Sequence, residues 1–401
     1  MDMKSYDLII IGGGSMGLST AWNASKRGLK TLVIEQFGFF NNLGSSAGAS
    51  RQFRLQYAQQ YMAELAISAQ SFWAELQNLT RDVLVTQCGS VWFGDPALSS
   101  QEGGIEAAED TMDALGIIYE ELSSGQIEDN YFFKNLPTDY SGFFQANGGI
   151  INIKATEEAM YNAALNSGCV EFRSYETVTG ITVEDNVPII VRTDKGYYSG
   201  AKLAITAGAY SNQLTSLTMG FETGIDIWEM TSAYFKKRDP LAWLPTWFVF
   251  QQPQNTSLFY GFPEVDWAHP GYIRVAPDIP DNGRILTDPS QRSGKPSEES
   301  LRLTSNWVRD HMRGLDPEPH FTSTCMIALS HDTSKEFLLD YAPTSCPQNN
   351  RIVVYTAGWA AKFIPILGDI ICQMLDEEIS AVSYGDYTIN LNNFSIDWTY
   401  T

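Results

Sequence analysis

The chain is 401 residues long, which at about 150 residues per domain means two to three domains and enough length to bury a core without disulfides or structural metals. Hydrophobic residues make up 44% and charged residues 18%, a globular composition rather than a disordered or fibrous one. Twenty-six basic against 47 acidic residues leave a formal charge of −21, which repels phosphate backbones and anionic lipid and so argues against nucleic acid or a membrane as partner.

Residues 6–11 form a short β-branched apolar run, a buried strand by length and type, that flows into Gly12-Gly13-Gly14-Ser15-Met16-Gly17 and an alanine-bearing helical stretch reaching Arg27. This is G-x-G-x-x-G between strand and helix. Gly12 allows the tight turn, Gly14 the close approach of a pyrophosphate and Gly17 the packing of helix on strand, while the helix amides around Ser15 and Met16 face the phosphates. A second strand, 30–34, ends at Glu35 and Gln36, at the distance where an acid takes ribose hydroxyls. Residues 13–17 also satisfy the G-x-S-x-G nucleophile elbow. An elbow needs an acid and then a histidine downstream and sits deep in a chain, so dinucleotide binding is the preferred reading.

Next comes a small-residue loop, Gly44-Ser45-Ser46-Ala47-Gly48-Ala49, able to pass close to a ring system, followed by Arg51 and Arg54. An R-x-x-R pair is ordinarily a solvated helix face. Beside this loop and the nucleotide fingerprint it reads instead as a clamp for a carboxylate, which arginine holds through two parallel hydrogen bonds. Tyr57, Tyr61, Leu65 and Phe72 recur at helical spacing and predict a core-facing stripe. The aromatic runs 90–93, 246–250 and 257–260 suit an antiparallel sheet that walls a pocket. A hairpin over 188–199 precedes a strand over 202–206 that leads into Ala207-Gly208-Ala209-Tyr210-Ser211. Cys325 lies in a predicted strand, 322–327, where a buried inert thiol is the ordinary reading, and a second strand follows over 335–340. Gly358 opens a turn into a helix whose first turn carries Lys362. A cation there opposes the helix dipole and implies an anion nearby. From Gly385 the chain reads as a surface tail.

No repeat or linker is visible, so interleaved domains are predicted: 1–85, 145–220 and 322–385 binding the dinucleotide, 86–144 and 221–321 facing the substrate, and 386–401 a C-terminal tail. The fold class is α/β (α+β), a Rossmann-like domain woven through one built on a mixed or antiparallel sheet. Five scattered cysteines without C-x-x-C and four histidines without ligand spacing predict neither a disulfide framework nor a metal site. Apolar runs such as 8–11 fall far short of the ~20 residues of a membrane span, and no basic region precedes an apolar signal core. A soluble, cytoplasmic monomer is expected.

Phe39-Phe40-Asn41, Arg54-Leu55-Gln56-Tyr57, the 89–95 stretch, Gln251-Gln252-Pro253, the 258–262 stretch, Thr322-Ser323-Thr324-Cys325 and Ala357-Gly358-Trp359 together resemble the monomeric sarcosine oxidase and N-methyltryptophan oxidase family, flavoproteins of the D-amino-acid-oxidase type. The resemblance spans residues 5 to about 375. It is closer still to the branch that aromatises piperideine-2-carboxylate to picolinate in nikkomycin biosynthesis. It implies FAD, held as a thioether through Cys325, and a second touch on the cofactor from the turn at Ala207 and Gly208. Val178, Ser45, Ser46, Arg51, Gly358, Trp359 and Lys362 join the glycine turn, Glu35 and Gln36 in the implied cofactor site. Arg54 and Lys362 match the pair that grips a substrate carboxylate, and Glu102, Tyr260, Asp278 and Trp359 fall on the remaining pocket positions. Arg274 stands where sarcosine oxidase has the lysine that assists oxygen reduction. Arginine keeps the charge but does not give up a proton readily, which leaves Lys362 as a substitute.

The implied reaction is hydride transfer from the carbon beside nitrogen of a carboxylated cyclic imino or secondary amino acid, with oxygen reduced to hydrogen peroxide. The alternatives are a sarcosine-type N-methyl amino acid oxidase and an FAD-dependent dehydrogenase that does not use oxygen.

Overall fold

The computed structural model describes residues 3–100, 103–238, 244–251, 258–279 and 281–400. The first strand, Lys4–Ile11, is buried on both faces from Leu8 onward, as a central parallel strand must be. It runs parallel to Thr31–Ile34 on one side and to Tyr197–Ile205 on the other, and Val170–Arg173 extends the sheet beyond Thr31–Ile34. On its far side Tyr197–Ile205 meets two partners in turn. Its first half pairs antiparallel with Ile189–Thr193 and its second half parallel with Ile352–Thr356. Val178–Thr182 and Leu338–Tyr341 complete eight strands. The helix Ser15–Lys26 follows the first strand, and Ile364–Asp376 crosses it so closely that a Cβ on Gly368 would meet the Ser19 carbonyl carbon at 2.3 Å.

The second large sheet has nine strands. Its spine is Ile225–Lys237 paired antiparallel with Leu315–Ser330, in a register that sets Met230 opposite Cys325. Tyr272–Pro277, Phe259–Phe262, Thr246–Phe250, Ser90–Gly94 and Ser141–Gln145 follow in order. Thr246–Phe250 and Ser90–Gly94 are parallel, so the sheet is mixed. Both of these strands are fully buried because aromatic layers cover each face. Trp247 stacks on Trp307 of the helix Glu298–His311 at 4.9 Å, and Trp92, Phe143, Phe248 and Phe250 cluster on the other side.

Four local expectations change. The strand around Cys325 runs over all of Leu315–Ser330 and joins the second sheet, because Ile225–Lys237 offers it a ladder along that length. The strand expected from residue 335 begins only at Leu338, since Lys335 closes a turn onto the Asp332 carbonyl at 3.1 Å. Lys362 sits in a short 3-10 turn, Ala361–Phe363, ahead of the helix rather than in its first turn. Residues 386–400 are not a surface tail. Tyr387–Asn390 pairs with Ala381–Tyr384, Trp398–Tyr400 pairs with Phe221–Thr223, and the fully buried Phe394 stacks on Phe337 at 4.2 Å. Aromatic burial of that size holds a chain end down. Among the described residues, no helix is long and apolar enough to cross a membrane.

Candidate active site

A single cavity of about 1090 Å³ is lined from both large sheets. That volume lies at the upper end of small-molecule sites. At one end it is walled by the glycine turn. Gly12 adopts φ +103, and a Cβ there would meet the Thr206 carbonyl oxygen at 2.6 Å. Gly14 caps the helix Ser15–Lys26, and its missing Cβ would stand 3.1 Å from Ser46 Oγ, which accepts from Ser15 N at 3.0 Å. Gly17 does not line the cavity. Its Cβ would fall 1.9 Å from the Gly12 carbonyl oxygen, so its part is the helix-on-strand packing read from the fingerprint.

Glu35 is buried and braces this turn, accepting from Gly13 N at 2.7 Å through Oε2 and from Phe37 N at 2.8 Å through Oε1. Burial raises its pKa against those two bonds. Ser15, Met16, Gln36, Ser45, Ser46, Val178, Ala207 and Gly208 line the same end. The loop bearing Ser45 and Ala47 is pinned by Arg51, whose Nη2 donates to the Ser45 and Ala47 carbonyls at 2.6 and 2.7 Å. Arg51 lies on the strand Ser50–Phe53, not on a helix face. Burial, together with nearby Arg274, pushes its pKa below the usual arginine value.

The middle of the cavity carries Cys325, Arg274 and Tyr260. Arg274 is buried and held on three sides. Its Nη1 donates to the Ser50 carbonyl and Oγ at 2.9 and 3.1 Å, its Nε and Nη2 to Ser232 Oγ at 3.2 and 2.9 Å, and it lies 4.6 Å from the Phe262 ring centroid. Tyr260 is nearly parallel to Phe248 at 6.3 Å. Burial pushes its hydroxyl up to about 12, against the pull of Arg274. The buried Asp278 is fixed by its own backbone N, which donates to the Leu258 carbonyl at 2.7 Å.

At the far end two cations converge on one aromatic ring. The Arg54 guanidinium lies 4.7 Å from the Tyr57 centroid and 4.9 Å from that of Trp92, and Lys362 Nζ lies 5.7 Å from Tyr57. Arg54 is only 1% exposed. Lys362 Nζ donates to the Trp359 carbonyl at 2.9 Å, while Trp73 Nε1 donates to the Lys362 carbonyl at 2.7 Å and fixes the turn from behind. Trp359 is presented by Gly358, at φ +95, where a Cβ would fall 1.7 Å from the Glu336 carbonyl oxygen.

The structure therefore brings every sequence-predicted site residue to one cavity except Gly17, which packs behind it, and Glu102, which lies outside the described residues with Gln252, Pro253 and Ser257. Sequence reasoning missed three contributors. Tyr57 was absorbed into the core stripe, although its ring also supports both cations. Ser232 gave no signal, lying between Thr231 and Ala233 on the strand Ile225–Lys237. Glu157 did give one: it falls at the buried spacing of Ile153, Met160 and Ala164 on the helix Ile153–Asn166, a charge at an apolar position.

The pattern of the FAD-dependent oxidoreductase family that includes D-amino-acid oxidase matches residues 7–374. This chain belongs to that family. It is 33% identical over 408 aligned positions to a Dictyostelium discoideum protein named as a bifunctional amine oxidase, covering 97% of this chain but only 37% of that longer protein. It is 26% identical to a monomeric sarcosine oxidase of a Bacillus species over 92% of each chain. Among solved structures, the open form of NikD, an amino acid oxidase essential for nikkomycin biosynthesis, superposes with a TM-score of 0.90 at 35% identity over 99% of both chains.

The residues of this oxidoreductase fit FAD on their own geometry. A side chain at Gly12 would strike backbone, the glycine turn leads into a helix N-terminus of the kind suited to a pyrophosphate, and the cavity continues from this cradle past Cys325 to the cations.

Proposed function

We propose that this oxidase acts on a carboxylated cyclic imino or secondary amino acid of the piperideine-2-carboxylate or pipecolate type. The observation that carries the reading is the convergence of Arg54 and Lys362 over Tyr57 in a cavity continuous with the dinucleotide cradle. FAD held there by the glycine turn would supply the hydride acceptor, with oxygen as the final acceptor and hydrogen peroxide as the product. Arg54 and Lys362 hold the substrate carboxylate, turning affinity into orientation of the reacting carbon–hydrogen bond. Hydride departure needs a neutral nitrogen, and either Asp278 or Glu102 takes the proton from it. Phe248, Tyr260 and Trp359 give the cavity beyond the dinucleotide cradle flat walls suited to a ring. Arg274, with its proton held, contributes fixed positive charge at mid-cavity, and Lys362 is the cation able to exchange one. The two large sheets correspond to two interleaved domains, one for the cofactor and one for the substrate.

Oxygen uptake measured in parallel with piperideine-2-carboxylate, pipecolate, proline and sarcosine tests the substrate reading. The cyclic acids should be consumed fastest. Preference for sarcosine would replace this reading with N-methyl amino acid oxidation, and substrate-dependent dye reduction without oxygen uptake would make the protein a dehydrogenase.

Cys325 is proposed as the thioether anchor of the cofactor. It is half-buried and faces the cavity between Arg51, Arg274 and Tyr260. After acid precipitation the yellow colour should stay with the pellet, and in Cys325→Ser it should wash into the supernatant. Colour that washes out of the unaltered protein removes the link.

A further inference from the structure

Glu157 is 3% exposed and lines the cavity at the glycine turn. Ser15 Oγ donates to its Oε1 at 2.9 Å. The Ser15 and Ser46 hydroxyl oxygens are 3.0 Å apart, and Ser15 N donates to Ser46 Oγ at 3.0 Å. The acid thus backs a pair of hydroxyls, one of which, Ser46 Oγ, occupies the space beside Gly14 at the pyrophosphate cradle. The groups acting on it come from four segments: Ser15 from the helix after the turn, Ser46 from the loop, Arg51 from the strand Ser50–Phe53, and Glu158 from its own helix. Arg51 donates to the carbonyls of Ser45, Ala47 and Ser50 and acts on Glu157 through its charge. Burial outweighs the stabilising hydrogen bonds and Arg51, and pushes the carboxyl up to about 7.

An ionised carboxylate can only accept hydrogen bonds, so it draws the Ser15 hydroxyl hydrogen away from any ligand; protonated, it donates, and that hydrogen is released. A pyrophosphate in the cradle would also place like charge against it, which favours the neutral acid. We propose that Glu157 is a positioning residue that takes up a proton from solvent when FAD enters, and that its neutral form turns the Ser15 and Ser46 hydroxyls toward the pyrophosphate. This rests on the FAD reading. The sign follows from linkage: below neutral pH the acid is protonated with or without FAD, and affinity is flat. Above it the free protein is ionised and must gain a proton, so affinity falls by up to about tenfold per pH unit.

The test is FAD binding to flavin-free protein made under riboflavin starvation, carrying Cys325→Ser so that association stays reversible. Titration calorimetry in buffers of different ionisation enthalpy counts protons directly. Uptake should approach one proton per FAD at pH 8 and be much smaller at pH 6. Glu157→Gln, neutral at every pH, should lose that uptake and the affinity slope while binding at least as tightly at pH 8. Binding to the otherwise unaltered protein at pH 8 without proton uptake overturns the proposal, as does an unchanged slope in Glu157→Gln. If that variant does not fold, the proton count on the parent protein decides alone. Failure of FAD to bind at any pH removes the FAD reading itself and this inference with it.

Discussion

The two ends of the cavity are built on different principles. The dinucleotide end is made of backbone: Gly12, Gly14 and Gly17 are there for what they lack, and Glu35 spends both oxygens on amides of Gly13 and Phe37. The substrate end is made of side chains from distant segments. Arg54, Tyr57, Trp92 and Lys362 meet although the first and last are three hundred residues apart in the chain. The lesson is that the backbone-built end tolerates no added atom at Gly12 or Gly17, whereas the side-chain-built end tolerates changes of shape but not loss of charge.

The sharpest way to break this contrast is Gly17→Ala. Its new methyl would lie 1.9 Å from the Gly12 carbonyl oxygen and 2.9 Å from Thr206 Oγ1, so one carbon should destabilise the fold by about 3 kcal/mol or more. Thermal unfolding and flavin absorbance of the purified protein read this out; a variant with unaltered melting and full flavin content would remove the packing account.

Arg54→Ala comes next. Losing one partner of a buried charge-assisted clamp costs about 2–5 kcal/mol, which corresponds to a fall in kcat/KM of about thirty- to five-thousandfold carried chiefly by KM, with cofactor retained. Arg54→Lys should recover part of it, because charge remains while the two-pronged geometry is lost. An unchanged KM for the carboxylated substrate would sink the clamp.

The smallest effect sharpens the middle of the cavity. Ser232→Ala takes the shared acceptor from Arg274 Nε and Nη2 but leaves the Ser50 contacts to Nη1. Stability measured by denaturant should fall by about 1–3 kcal/mol. No change would show that water replaces the serine without loss.

What was legible in the sequence tracks locality. The glycine fingerprint, the helix after it and Glu35 lie within a short contiguous stretch whose local rules coincide with the fold, so strand, turn and helix appear within a residue or two of expectation. Arg54 and Lys362 were paired, and Cys325 was assigned to the cofactor, only through the resemblance, because nothing in their spacing shows that they meet. The tail was misjudged because Phe394 looks like any aromatic near a terminus until Phe337, far away in sequence, supplies its stacking partner. Glu157 was overlooked even though its helical position marked it, since a charge on an apolar stripe gains meaning only beside Ser15, Ser46 and the cradle.

By itself, then, the sequence determined the dinucleotide turn, the two kinds of sheet and the family, because backbone conformation at glycines and alternation of apolar residues are local properties. Only the tertiary structure decided that Cys325 enters from the second sheet, that Arg54 and Lys362 share the Tyr57 ring, and that an acid lies under the cradle. Charge interacts through space and its strength depends on burial, and neither distance nor burial is written in the order of residues along a chain.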